Sequence, residues 1–469
     1  MSFEPRSLPV DAAAHAALAA QGLDYRLVDP TDTDMLDRWI DADARGFHHA
    51  RPRDVTRDYE RRVMGDRRLH GVYDASIPEP GVPVATVSSW PSGLSVPGGR
   101  SVDGWAVSSV TVSPTHRRRG IARAMMEGEL ATAKQAGAAI AMLTATEATI
   151  YGRYGYAPAA RAVTIEVDRR RAKWIGPDAP GRVHFVDPAS LRETAVAISR
   201  RSVARTPGEI DRWPALFDRM LGLIEPDSDA SRALRAIRYD DEHGQPQGFA
   251  TFRVGREPNE PGWVEFDAFA AATEDAERAL WRMLVEQDFV DGIRGLLRSA
   301  DEPIEWLLDD PRAVTVTNVI DHLWVRILDA AAALGARRYG AAGELVLEIT
   351  DPLGYAAGRY TLLTSADGRA VVHGPRTDGE RGSDAAPKRE RNRSRASSAE
   401  SSGSRAASRA AEPRSLRLDV RDLGSIYLGA VRPSVLARAG RITPSSKGAI
   451  ELADRMFASS PVPHLSMWF

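Results

Sequence analysis

Ser108-Ser-Val-Thr-Val-Ser-Pro-Thr-His-Arg-Arg-Arg-Gly-Ile-Ala-Arg-Ala-Met125 is the stretch that decides the fold. Gly104 to Val112 alternates as a strand does, and Pro114 with the basic run Arg117, Arg118 and Arg119 interrupts it. Apolar residues recur at helical spacing from Gly120 to Gln135, and Ala139 to Thr146 reads as a buried strand. Strand, basic loop, helix and strand therefore follow in order. Inside the loop stands Arg117-x-x-Gly120-x-Ala122. The N–H groups that open a helix are unpaired and carry partial positive charge, which suits a pyrophosphate. Gly120 and Ala122 allow close approach, and the arginines add fork-shaped donors. A basic run before a helix also fits a solvated helix start or a nucleic-acid patch. The strands on both sides favour a coenzyme.

Working outward, the chain has 469 residues, 43% hydrophobic and 27% charged, which fits two to four globular domains. No run of about 18 apolar residues is present, so no membrane span is expected. Glu4, Asp11 and His15 lie among alanines near the start, without a basic region before an apolar block. That reads as a cytoplasmic protein without a secretory leader. There is no cysteine, which excludes disulfides, thiolate metal sites and a cysteinyl intermediate. The ten histidines show no ligand spacing with carboxylates, so no metal is expected. A net charge of -2 gives no bulk attraction to nucleic acid.

The first part reads as mixed α/β. Strands are expected at Tyr25–Val28, Val84–Trp90 and Gly104–Val112, a helix at Thr31–Ala44, and a loop at Pro158. The middle part repeats the pattern without the motif: a strand at Val163–Val167, a helix at Pro188–Arg201, a hairpin at Gly248–Val254 and Gly262–Ala270, and a helix at Thr273–Phe289. In the last part Ala342–Ile349, Gly358–Ser365 and Arg417–Val420 read as strands. An Ala-rich helix to Leu334 and helices at Leu423–Leu428, Pro433–Ala439 and Ser446–Ala458 accompany them. From His373 to Ser415 there is no Val, Ile, Leu, Met, Phe, Tyr or Trp. This Arg/Ser-rich stretch cannot bury enough apolar surface to order itself, and reads as a disordered insert. Residues 376–414 carry ten basic and six acidic side chains, and no aromatic interleaves them for base stacking.

Arg117-x-x-Gly120-x-Ala122 after Val110-x-Val112 resembles the acetyl-CoA motif of the GNAT superfamily of N-acetyltransferases. The longer Pro114-Thr-His-Arg-Arg-Arg-Gly120, with Ile150-Tyr-Gly-Arg-Tyr-Gly-Tyr156, Leu423-Gly-Ser-Ile-Tyr-Leu-Gly429 and the final Phe469, resembles the Eis (enhanced intracellular survival) family of acetyltransferases. The resemblance leaves out only about the first 22 residues and the insert. It implies an α/β (α+β mixed-sheet) fold of two tandem GNAT-like domains followed by a sterol-carrier-protein-like α+β domain. The expected divisions are 1–160, 161–318, lacking the coenzyme motif, and 319–469, carrying the insert at about 373–415. It also implies a hexamer, with acetyl-CoA and an amine acceptor as partners.

By the same resemblance, Val110 and Val112 (through their backbones), Arg117, Arg118, Arg119, Gly120, Ile121, Ala122, Thr146 and Glu147 contact acetyl-CoA. A backbone N–H at the strand can also polarise the thioester oxygen. Tyr151 is the implied general acid. Its phenol is protonated at neutral pH and can supply a proton to the departing thiolate. Tyr154 and Tyr156 are rivals for that role. The α-carboxylate of Phe469 is the implied base, brought to the site by an apolar tail that docks rather than frays. Without a cysteine, the acetyl group is expected to pass directly from coenzyme to amine unless some other nucleophile intervenes.

Family acceptors are polyamines such as aminoglycosides, and lysine side chains. Phe47, Tyr59, Ser109 and Trp468 are the expected acceptor contacts. His48 and His49 stand where an aspartate can occur, Trp468 where a glutamate can, and Ser109 where a larger aromatic can. These departures imply an apolar or less cationic acceptor and put aminoglycosides in question. The alternatives are lysine acetylation and a coenzyme-binding sensor or scaffold that transfers nothing.

Overall fold

The structure, a computed structural model, describes residues 7–255, 262–375 and 413–469. Twelve strands form one sheet: β1 (Leu23–Leu27), β2 (Arg68–Asp74), β3 (Ala85–Val96), β4 (Arg100–Val112), β5 (Ile140–Thr144), β6 (Ala157–Asp168), β7 (Arg182–Val186), β8 (Arg235–Asp240), β9 (Pro246–Gly255), β10 (Trp263–Ala271), β11 (Gly292–Arg298) and β12 (Val314–Ile327). Their spatial order is β1-β2-β3-β4-β5-β12-β6-β11-β10-β9-β8-β7. A second sheet holds β13 (Gly343–Thr350), β14 (Gly358–Thr364), β15 (Ala370–His373), β16 (Ser415–Asp419) and β17 (Ile442–Pro444) in the order β15-β14-β13-β16-β17.

The join in the large sheet is an exchange. β12, late in the chain, lies between β5 and β6 and pairs antiparallel with both. Position 160 falls inside β6 and position 318 inside β12, each an unbroken strand. Pro158, expected in a loop, sits at the second position of β6, opposite Trp324. A proline is tolerated at a strand start where ladder pairing is irregular, and the β6–β12 register shifts here. The helix expected to reach Phe289 stops at Val285, and Phe289 lies beyond it with φ 60°. The disorder expected of the insert concerns residues mostly outside those described.

One core joins β3, β4 and β5 to the small sheet and to the helices Val420–Tyr427 and Lys447–Phe457. A second lies under the helix Ile121–Gln135. A third and a fourth lie on the two faces of β8–β10. The small sheet is tied to the large one by a sealed ion pair. Arg326 of β12 meets both carboxylate oxygens of Asp351 at 2.8 and 2.9 Å, with neither side chain exposed. Breaking such a pair costs about 3–5 kcal/mol, because the surviving charge stays buried. No helix among the described residues is long and apolar enough to cross a membrane.

Candidate active site

Two neighbouring parallel strands open a wedge. β4 and β5 pair only at Gly104–Ile140, Trp105–Ala141 and Ala106–Met142. Beyond that point β4 runs on to Val112 paired to β3 alone. The opening coincides with a bulge: between Ser108 and Thr111, β4 carries one residue more than the facing stretch of β3. Ser109, within the bulge, has φ 55°, and its carbonyl accepts from Thr86 Oγ1 at 2.9 Å. Backbone groups of Val110 and Val112 are thereby left without a sheet partner on the β5 side.

The basic loop closes one end of the wedge. Arg118 and Gly120 both have positive φ, 65° and 73°, and Gly120 is the left-handed cap of the helix Ile121–Gln135 with no side-chain cap bond. A Cβ at Gly120 would meet nothing within 4 Å, so glycine serves the backbone angle and the space around it stays open. Arg117 and Arg118 are exposed, whereas Ile121 is buried and can offer only its N–H. Arg119 turns aside, donating to the Gln21 carbonyl at 3.0 Å and lying 3.6 Å from Asp74. Asp74 also meets His116 Nε2 at 3.0 Å and accepts from Ser76 Oγ at 2.6 Å. Bonds from Ser76 and His116 hold the Asp74 carboxyl well below the usual carboxylate range. An anion under the loop thus fixes its shape. Open helix N–H groups, exposed arginines and an unpaired strand edge fit the pyrophosphate and the amide arm of coenzyme A.

Past Thr144, where β5 ends sooner than expected, Thr146 and Glu147 are exposed loop residues. Tyr151 follows in a single helical turn, 8% exposed, its ring edge-on to Tyr156 at 6.2 Å and Trp324 at 6.5 Å. Burial raises the phenols of Tyr151, Tyr154 and Tyr156 above the ordinary value, most strongly Tyr156. Tyr156 is sealed and its hydroxyl has no partner among the described residues.

The chain terminus arrives from the far side. Thr144 Oγ1 donates to a terminal oxygen of Phe469 at 3.0 Å, and the Phe469 ring lies edge-on to Trp90 at 5.8 Å. The tail is held along its length. His322 Nε2 donates to the Met467 carbonyl at 2.8 Å, the Ser466 N–H to Glu209 at 3.0 Å, and His464 Nε2 to the Leu297 carbonyl at 2.6 Å. Burial pushes His322 down to about 4, so it stays neutral and keeps this single-donor role.

The helices Thr33–Gly46 and Asp54–Gly65 flank the wedge, on the side where the acceptor contacts are expected. Gly46 lets the first close on β4, since a Cβ there would stand 2.5 Å from Thr111. Of the expected acceptor contacts, Ser109 is buried at the bulge. Tyr59 is buried among the two helices and Trp213. Phe47 is exposed and stacks on His49 at 6.0 Å. Trp468 is 43% exposed, packs edge-on to His322, and lines a cavity of about 480 Å³ with Phe266, Phe269 and Leu297. Sequence reasoning missed Asp43, Glu60 and Arg67. Asp43 faces the Ser109 hydroxyl, and burial beside Glu60 pushes its carboxyl up to about 7. Burial likewise raises Glu60. Their spacing in the sequence gave no signal, because a bulge and two helices bring them together.

A bulged wedge, a left-handed glycine cap and a basic loop define a GNAT-type N-acetyltransferase. Residues 27–159 and 208–327 each match a family described as acetyltransferase (GNAT) domain, and residues 330–466 match the sterol carrier protein domain. The N-acetyltransferase Eis of Mycobacterium tuberculosis is 34% identical over 375 residues, 78% of this chain and 81% of that one. An uncharacterized N-acetyltransferase of Streptomyces griseus is 32% identical over 455 residues, 94% and 98% of the two chains. Among solved structures, Eis1 of Mycobacterium abscessus matches with a TM-score of 0.75 at 27% identity, over 95% of this chain and 100% of that one. The chain belongs to the Eis family of N-acetyltransferases.

Proposed function

We propose that the chain transfers an acetyl group from acetyl-CoA directly to a primary amine of a small molecule or of a lysine side chain. The reading carries with it the divisions 1–160, 161–318 and 319–469, a cytoplasmic setting and a hexameric assembly. Acetyl-CoA supplies the activated thioester; the remaining work falls to the chain. Backbone N–H groups from Arg118 to Ala122 receive the pyrophosphate, with Arg117 and Arg118 beside them. The Val110 and Val112 backbones line the unpaired edge of β4. A primary amine is mostly protonated at pH 7, so a proton must leave before nitrogen attacks. The Phe469 carboxylate accepts it. As the C–N bond forms and the C–S bond breaks, Tyr151 donates its proton to the sulfur. Its raised pKa keeps that proton in place at neutral pH.

The observation that carries this reading is the Phe469 terminus beside Thr144, where β5 leaves β4. An amine panel, from polyamines and aminoglycosides to lysine peptides, read by thiol release, tests it. Turnover of at least one amine is expected, and Tyr151→Phe should lower kcat more than it weakens coenzyme binding. Tight acetyl-CoA binding with no turnover on any amine would leave a sensor or scaffold instead.

A further inference from the structure

A buried cation stands beside the wedge without an ion pair among the described residues. Arg67 immediately precedes β2, and Arg68 of that strand pairs with Ser89, so Arg67 lies beside Trp90. Trp90 pairs with Ala106, the last residue of β4 joined to β5 before the strands part. The Arg67 guanidinium lies 3.8 Å from the centre of the Trp90 ring and 5.0 Å from that of Trp213. Trp90 in turn contacts the ring of Phe469. Arg67 is 7% exposed.

Among the described residues its guanidinium has no ion pair within 4.0 Å and no hydrogen bond, yet its nitrogens are not among the sealed atoms. They open onto space that solvent reaches. Asp43 and Glu60 are close enough to act on it through space but do not pair with it. Trp213 Nε1, a second donor beside it, faces the Tyr59 hydroxyl. Ring faces satisfy a guanidinium only in part, because its N–H groups lie in its plane and still require oxygen acceptors. A guanidinium taken largely out of bulk water without a direct carboxylate partner is costly to keep charged, and burial pushes Arg67 down to about 10.

We propose that Arg67, with Trp90 and Trp213, receives a carboxylate of the acceptor, so that the enzyme favours amines that also carry an acid group. This rests on the transfer reading above. The amine end of such a molecule meets the Phe469 carboxylate and Asp43 at the wedge. Its acid end reaches Arg67 two strands away, about 10 Å along the sheet. A polycationic acceptor has no oxygen to offer this cation. Ser109 and Trp90 fit this division, a small residue at the reacting end and a large ring between the two charges.

The test compares 6-aminohexanoate with hexylamine and spermidine in the full chain, by thiol release. Calorimetry of the acetylated products of the first two supplies a second readout. The acid-bearing amine should be favoured over hexylamine by about 10-fold to 100-fold in kcat/KM, the range for one charge-assisted bidentate contact. Arg67→Met should bring that ratio to about one, and Arg67→Lys should leave it intermediate. Equal or lower use of 6-aminohexanoate by the unaltered chain overturns the proposal while transfer itself stands. So does an unchanged ratio in a folded Arg67→Met variant. If that variant does not fold, the unaltered chain and Arg67→Lys decide. No turnover of any amine, with acetyl-CoA bound, defeats the transfer reading and this inference together.

Discussion

The two halves of the large sheet each contain a wedge, and they have opposite fates. β4 and β5 pair in parallel over three residues and part at a bulge of β4. β10 and β11 pair in parallel over four residues, Trp263–Gly292 to Phe266–Gly295, and part beside a bulge between Phe266 and Ala268. The backbone devices are the same. What differs is the connection that follows. After β4 come Arg117, Arg118 and a left-handed Gly120 before the helix; after β10 the helix Glu274–Val285 starts at once, capped by Thr273 and opened by Glu274, Asp275 and Glu277. Three acids at a helix start repel a pyrophosphate as surely as arginines attract one. The second wedge faces the C-terminal tail instead: the Leu297 carbonyl holds His464, and Met467 and Trp468 line the cavity beside it. Two wedges of like strand geometry thus differ in the charge of the connection that follows them. The second wedge holds the tail whose last residue, Phe469, meets Thr144 of the first.

The contrast is open to experiments of decreasing expected size. Deleting Phe469, or extending the chain beyond it, should lower kcat by about 10²- to 10⁴-fold, the span of a general base, with acetyl-CoA affinity within a few-fold. Full activity in a C-terminally tagged enzyme would remove the link between the two wedges. Replacing Arg117 and Gly120 together by alanine should weaken acetyl-CoA about 100-fold by calorimetry, since a left-handed angle is forced on alanine while a charge is lost. Unaltered affinity would mean the first wedge is not the coenzyme site. Glu209→Ala, wholly within the second half, should lower kcat about tenfold by freeing the Ser466 N–H, and leave coenzyme binding unchanged. An equal loss of coenzyme binding would show that the halves are not separate in function.

The smallest effect is a pH dependence of tail docking. His322 is neutral when folded, with its pKa lowered to about 4 from an ordinary 6.5. Between those values the unfolded chain binds a proton that the folded chain refuses, so stability rises with pH across this window and falls as pH drops from 6.5 towards 4. A shift of that size is worth at most about 3 kcal/mol. In a chain of 469 residues that amounts to a few degrees in Tm. His322→Asn should flatten the slope of Tm against pH between 4.5 and 6.5; parallel slopes would show that His322 does not contribute.

Much of this was legible in one dimension because the informative features are local. The strand, loop and helix around Val112 to Gln135 depend on residues within one or two turns of each other. So do Gly120 and the tyrosine cluster. Pro158 misled because a proline is a turn signal locally, yet here an irregular ladder with β12 accommodates it. Strands β2, β7, β8, β11, β15 and β17 are not expected from the sequence because short runs such as Gly292–Arg298 carry too little alternation, and β12 is not because it is exposed over its first half and continuously buried over its second.

By itself, the sequence determined the class of fold, the basic loop with Gly120 before its helix, and the absence of cysteine, since each is written in the residues themselves. Only the tertiary structure decided that β12 threads between β5 and β6, and that Asp74 pins the loop from beneath. It also decided that the tail crosses the second wedge to reach Thr144, and that Asp43, Glu60 and Arg67 lie close together. These arrangements join residues separated by up to 325 positions, as in the Thr144–Phe469 bond. No local pattern encodes them, because burial and charge act through space once the strands have paired.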